Sequence, residues 1–174
     1  DTDIFQFGRI GTGTVFGQEG NDAIPNAAQQ NGRPFFPRNI GLSSNFTPVD
    51  INAGANLSGR IGQWNVGSMI VNQDEDTASG VDSRSVFVGR AALNVMQESQ
   101  IGVIATSGDA RSNNDNNLAG ADFRYRNSRL PGGKVLESEV WYQQSDSALL
   151  KGDDSAYGFG ISSPNSNGWR GGYN

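Results

Sequence analysis

The sequence predicts an all-β chain: an antiparallel meander of about eight strands that forms a transmembrane β-barrel or part of one. Three observations carry that reading. Apolar and polar residues alternate with period two from Ile51 onward. The connections between alternating stretches switch between short and long. The composition is lean, with 35% hydrophobic residues and a mean hydropathy of -0.51, and no run reaches the roughly 20 apolar residues a spanning helix needs. A transmembrane barrel has such a composition because half of each strand is polar.

Taken in order, residues 1–50 read as an irregular N-terminal segment with one or two strands. The stretch "DTDIFQFGRIGTGTVFGQ" has room for them, whereas Pro25, Pro34 and Pro37 would break any ladder between there and Ile51. The meander occupies 51–174. Its first strand, 51–61, puts Ile, Ala, Ala, Leu, Gly and Ile at odd positions, with Asn, Gly, Asn, Ser and Arg between them. The tight "GQW" turn leads into 64–72, so Trp64, Val66 and Ile70 share the face of Leu57 and Ile61. The long "QDEDTASGVDS" precedes 84–93, the short "NVMQES" precedes 100–107, and the long "SGDARSNNDNN" precedes 117–126. "NSRLPGGK" is a moderate connection to 135–144, "SDSALLKGDD" a longer one to 155–162, and "PNSNG" a short one to 168–173. "RAALNVMQESQ" contains good helix formers, but the residues before it alternate as a strand.

Short turns at one end and long polar loops at the other is the layout of a barrel inserted in an outer membrane. The facing agrees. Ala119, Ala121, Phe123 and Tyr125 share one side of their strand, and Gly120, Asp122, Arg124 and Arg126 the other. Leu136, Ser138, Val140 and Tyr142 lie opposite Glu137, Glu139 and Gln143. Pairing these two strands sets Arg124 near Glu137 and Glu139, as suits a wet interior. Tyr125, Tyr142, Trp64, Tyr157 and Trp169 fall near strand ends, where aromatic girdles belong. The contrasting architecture is a water-soluble β-sandwich or β-barrel with its apolar face inward, which alternation alone does not separate from the first.

Several function classes drop out on composition. Histidine and cysteine are both absent, which removes the Ser-His-Asp triad, the Cys-His pair, thiolate and imidazole metal sites and any disulfide framework. A net charge of -5 with scattered basic residues argues against nucleic acid as a partner. No catalytic residue, metal site or cofactor is assigned. The polar residues expected to face a lumen are Arg60, Arg90, Asp122, Arg124, Arg126, Glu137 and Glu139. Such a lining could tune the passage of anionic solutes, although pairing between the two signs is the more ordinary role. Glu137 and Glu139 share a strand face as the two carboxylates of a glycosidase could, but arginines nearby favour ion pairs instead. Asp74, Glu75, Asp76 and Asp82 cluster in one loop, Asp109 and Asp115 in another, and Asp153 and Asp154 in a third; none matches an EF-hand spacing, so they read as solvated loops. "GTGTVFG" (11–17) misses the phosphate-loop pattern and reads as glycines easing a twisted strand. The sequons at 45–47 and 56–58 carry no meaning in a bacterial outer membrane.

Five stretches carry a resemblance: "DTDIFQFG", "RPFFPRNIG", "INAGANLSGRIGQWNVGSMIVNQDED", "SVFVGRAALNVMQESQIGVIAT" and "NLAGADFRYR". Spread over most of residues 1–126, they resemble the uncharacterised outer-membrane β-barrel domain that follows a family 9-like carbohydrate-binding module in many Gram-negative proteins. The family's paired-arginine "SRRIG" stands here as "PRNIG", so the role of that pair is not carried over to Arg38, and the insertion between Phe7 and Arg33 is long. The sugar-binding module is not in this chain, so sugar binding passes to no residue. The resemblance implies a Gram-negative outer-membrane location and a non-enzymatic barrel associated with carbohydrate or solute handling at the cell surface. The alternative is a soluble extracellular binding module for sugar or a protein partner. The expected partners are the lipid bilayer and, because both ends read as cut from a longer protein, further strands of the same parent chain or other outer-membrane proteins.

Overall fold

The computed structural model describes residues 34–35, 40–43, 46–77, 80–109, 113–147, 154–163 and 171–173. The expected strands in "DTDIFQFGRIGTGTVFGQ" lie outside them. The eight strands are β1 (Ile51–Ile61), β2 (Trp64–Gln73), β3 (Arg84–Val95), β4 (Ser99–Ser107), β5 (Asn116–Leu130), β6 (Lys134–Ser147), β7 (Ser155–Ser163) and β8 (Gly171–Tyr173). They form a single sheet in the order β1-β2-β3-β4-β5-β6-β7-β8, each antiparallel to its chain neighbour. Among the described residues the sheet is not closed: β1 and β8 are its two edges. The all-β antiparallel meander is therefore as predicted, and "RAALNVMQESQ" belongs to β3, a turn and β4 rather than to a helix.

Turn chemistry fixes one end. Ile61 and Trp64 pair across a two-residue turn whose first residue, Gly62, has φ 60°, the placement a type II′ hairpin asks for. The connection "NSRLPGGK" is tighter than predicted. Its first residues extend β5 to Leu130, and only Pro131, Gly132 and Gly133 make the turn. The two glycines take φ 79° and 70°, and Gly133 N–H donates to the Leu130 carbonyl at 3.0 Å. A register shift between Asn127 and Leu130 absorbs the extra residues.

At the other end the loops lace together. Asn113 donates to the Gly80 carbonyl and accepts from the Asp82 N–H, both at 3.0 Å. Arg84 Nη1 donates to the Asn114 carbonyl at 2.8 Å. Asp76 and Val81 form an isolated bridge within the β2–β3 loop.

The register sorts side chains into two faces. One face is open. A single row runs across it from strand to strand through Ile61, Trp64, Leu93, Ile101, Phe123, Val140 and Phe159, each residue the register partner of the next. Among the described residues, all the exposed large apolar side chains other than Phe46, Ile51 and Met96 lie on this face. Relative to that row the short turns descend in steps. The first follows Ile61 directly, β3 runs on past Leu93 to Val95, and β5 runs past Phe123 as far as Leu130. A stagger of this kind is what tilted strands of a barrel require.

The second face is covered. Val86, Val88, Ile104 and Trp141 are buried there together with Phe35, which precedes the sheet. Ile40, Met69 and Ala156 pack against this cluster. Trp141 lies over Gly158, its register partner, where an added Cβ would sit 2.6 Å from the indole ring.

Candidate functional site

The charged residues on the covered face are the only constellation with chemistry to offer among the described residues. Period-two alternation on β3, β5 and β6 turns Arg90, Asp122, Arg124, Arg126, Glu137 and Glu139 to that side. Arg90 Nη2 lies 2.6 Å from Asp122 Oδ1, with the two side chains 3% and 2% exposed. These residues are not register neighbours. Arg90 pairs with Ile104 and Asp122 with Gly102, so the ion pair reaches over β4. Gly102 makes the passage possible, since a Cβ there would sit 2.5 Å from both charged groups.

Below this pair the charges continue toward the short turns. Arg124 is the register partner of Glu139, and Arg126 of Glu137, with the latter pair at 3.5 Å. Each glutamate of the hypothetical carboxylate pair thus faces an arginine rather than a cleft, which suits structural pairing. The expectation that Arg124 would sit near Glu137 and Glu139 resolves into these two successive rungs. Arg60 stands apart: β1 is exposed along its whole length, and Arg60 Nε donates to the Gly62 carbonyl at 3.1 Å.

Three elements of this face escape sequence reasoning. Phe35 sits in a proline-rich stretch with no periodicity to reveal its burial. Trp141 carries no sign that it packs on a glycine. Glu98, in the β3–β4 turn, accepts from Ser128 Oγ at 2.6 Å and from Ser128 N–H at 2.9 Å, with Arg129 Nε at 3.7 Å. The Ser128 hydroxyl, more than the backbone bond and the two nearby arginines, holds the Glu98 carboxyl below the usual carboxylate range.

The acidic loops collect at the long-connection end, where Asp74, Glu75, Asp76, Asp82, Asp109, Asp115 and Asp154 all lie. Among the described residues no three carboxylates converge as a metal cage. "GTGTVFG", Arg38, Asn45, Asp153 and Trp169 lie outside the described residues.

No known protein family, curated protein or solved structure matches this chain.

Proposed function

We propose that this chain is a lipid-facing section of an outer-membrane β-barrel, with its open face against acyl chains and its covered face toward the barrel interior. The observation that carries the reading is the unbroken apolar row from Ile61 to Phe159. Exposed apolar residues are common singly, but a contiguous sheet-wide patch marks contact with lipid or protein. The two signs of charge sit on the opposite, covered face, which is the reverse of a soluble sandwich.

The dimensions support the same reading. On β3 the outward residues run from Phe87 to Val95. At about 3.3 Å per residue and a tilt near 40°, that stretch covers roughly 20 Å of bilayer normal, close to the ~25 Å apolar band of such barrels. Tyr142 and Tyr157, register partners on the open face, suit the headgroup boundary.

The role we propose is non-enzymatic, in carbohydrate or solute handling at the surface of a Gram-negative bacterium. It rests on the five stretches that carry the family resemblance and on carboxylates that face arginines. Tryptophan quenching tests the location. Variants retaining only Trp64 or only Trp141 are reconstituted in vesicles containing brominated lipids. Trp64 fluorescence is expected to be strongly quenched and Trp141 fluorescence little changed. A monodisperse protein in detergent-free buffer, with Trp64 quenched by aqueous iodide, would overturn the reading in favour of a soluble binding module.

A further inference from the structure

We propose that β1 is an assembly edge at which this chain pairs with a second copy of itself, β1 to β1, in antiparallel register centred on Asn56. β1 is an edge of the sheet, and all 11 of its residues are exposed, on both faces. The hairpin fixes which of its backbone groups are spare. Ile61 and Trp64 close the two-residue turn as a hydrogen-bonded pair, so the odd positions from Ala53 to Ile61 bond to β2. The N–H and C=O groups of Gly54, Asn56, Ser58 and Arg60 then point away from the sheet. Among the described residues none of these groups enters another hydrogen bond.

An edge meant to stay alone is defended by brevity, proline, lysine, inward charge or a bulge. β1 has no such defence along its middle. It holds no proline, no lysine and no acidic residue, and its register with β2 runs unbroken from Ala53 to Ile61. The other edge, β8, is 3 residues long, so it is short by nature and could cover only a fraction of β1.

The occupant is a second copy because β1 complements itself. Asn56 is the middle residue of the strand and is among those whose backbone points outward. A two-fold axis through Asn56 therefore overlaps two β1 strands along their whole length, with the spare groups facing each other. The axis keeps odd positions opposite odd and even opposite even. Leu57 meets Ala55 on the apolar side, and Ser58 meets Gly54 on the polar side. The one charged residue, Arg60, stands about 27 Å from its own copy at ~3.4 Å per residue, so no like charges meet. This seam goes beyond the membrane reading and does not depend on it. Spare edge groups are a template for pairing in water, and in a bilayer they are not tolerated unpaired.

The chain has no cysteine, so introduced thiols report without background. Asn56→Cys and Arg60→Cys, on the same side of β1, are each made in the full chain and oxidised with copper phenanthroline in micelles and in vesicles. The Cα atoms of a hydrogen-bonded pair lie about 5.5 Å apart, within disulfide reach. Asn56→Cys is expected to form a disulfide-linked dimer of twice the chain mass roughly tenfold or more faster than Arg60→Cys, whose thiols lie beyond that reach. Ser58→Pro removes an outward N–H that β2 does not use, a change an edge strand tolerates. Added to Asn56→Cys, it should lower the dimer yield by a similar factor, whereas Ser58→Ala should leave the yield unchanged.

Equal cross-linking at Asn56→Cys and Arg60→Cys, or a monomer at both, would overturn the seam, and this comparison needs no proline variant. Trp64 quenching is read in separate samples, so failure of the membrane reading leaves the seam to be judged on cross-linking alone.

Discussion

The two faces of the sheet invert the usual relation between polarity and burial. On the open face, Ile101, Val103, Val140 and Phe159 stand 46%, 52%, 51% and 58% exposed, whereas on the covered face Arg90 and Asp122 are 6% and 5% exposed. Both arise from the same alternation on the same strands, so hydrophobicity by residue says little about which side a protein hides. On the barrel reading proposed above, what decides is the medium each face meets. Apolar side chains lose little by facing lipid. A buried ion pair is tolerable only where its partners are fixed at bonding distance.

Four measurements would break or sharpen that contrast, given from the largest expected effect to the smallest. Asp122→Ala removes the carboxylate from a nearly sealed Arg90 and is expected to lower folding stability by about 3–5 kcal/mol in denaturant titration of the reconstituted protein. Arg126→Ala, whose side chain is 51% exposed, should cost no more than about 1 kcal/mol. Similar losses in the two variants would remove the distinction between the sealed pair and its half-open neighbour.

On the open face, Val103→Arg is expected to destabilise by about 2–4 kcal/mol if the position faces the bilayer midplane. In water, the same change at a side chain 52% exposed should stay within about 0.5 kcal/mol. Urea titration in vesicles decides between them. Gly158→Ala drives a methyl into the Trp141 indole and should cost about 1–3 kcal/mol, against almost nothing for Gly59→Ala, which has no atom within 4 Å of an added Cβ. Near-UV circular dichroism should report the displaced indole in the first variant alone.

The smallest effect concerns acid. The folded-state pKa of Glu98 lies below its unfolded value, so its bonds to Ser128 stabilise the fold above the ordinary carboxylate pKa. That contribution is lost as pH falls through the lowered value. Ser128→Ala should therefore lower the thermal midpoint most near neutrality, with the gap to the wild type closing below the usual carboxylate range. A gap that stays constant with pH would mean that the hydroxyl acts through packing instead.

Much of the sheet is legible because a period of two is written directly into residues such as Ala119, Ala121, Phe123 and Tyr125. The "NSRLPGGK" connection reads as longer than it is because the polar residues 127–129 look like loop. They remain in β5 through a register shift, which composition does not announce. The candidate residues Arg90 and Asp122 can be assigned to one face from alternation alone. Their partnership cannot, since it skips a strand and depends on Gly102 lying between them, which emerges only once the register is known. Phe35 is invisible for the opposite reason: the cluster it joins, Val86, Val88, Ile104 and Trp141, comes from strands distant in sequence, and no local periodicity marks it.

Because each described strand pairs with its chain neighbours, assembly closes only local connections, and hairpins can be added one after another. The hazard of such zippering is slippage, since a shift of one residue would turn Asp122 to the opposite side of the sheet. Arg90 can meet Asp122 only after β3, β4 and β5 are all in register, with Gly102 beneath the crossing. The ion pair is in that sense a proofreading contact: it rewards the third strand for arriving in step with the first.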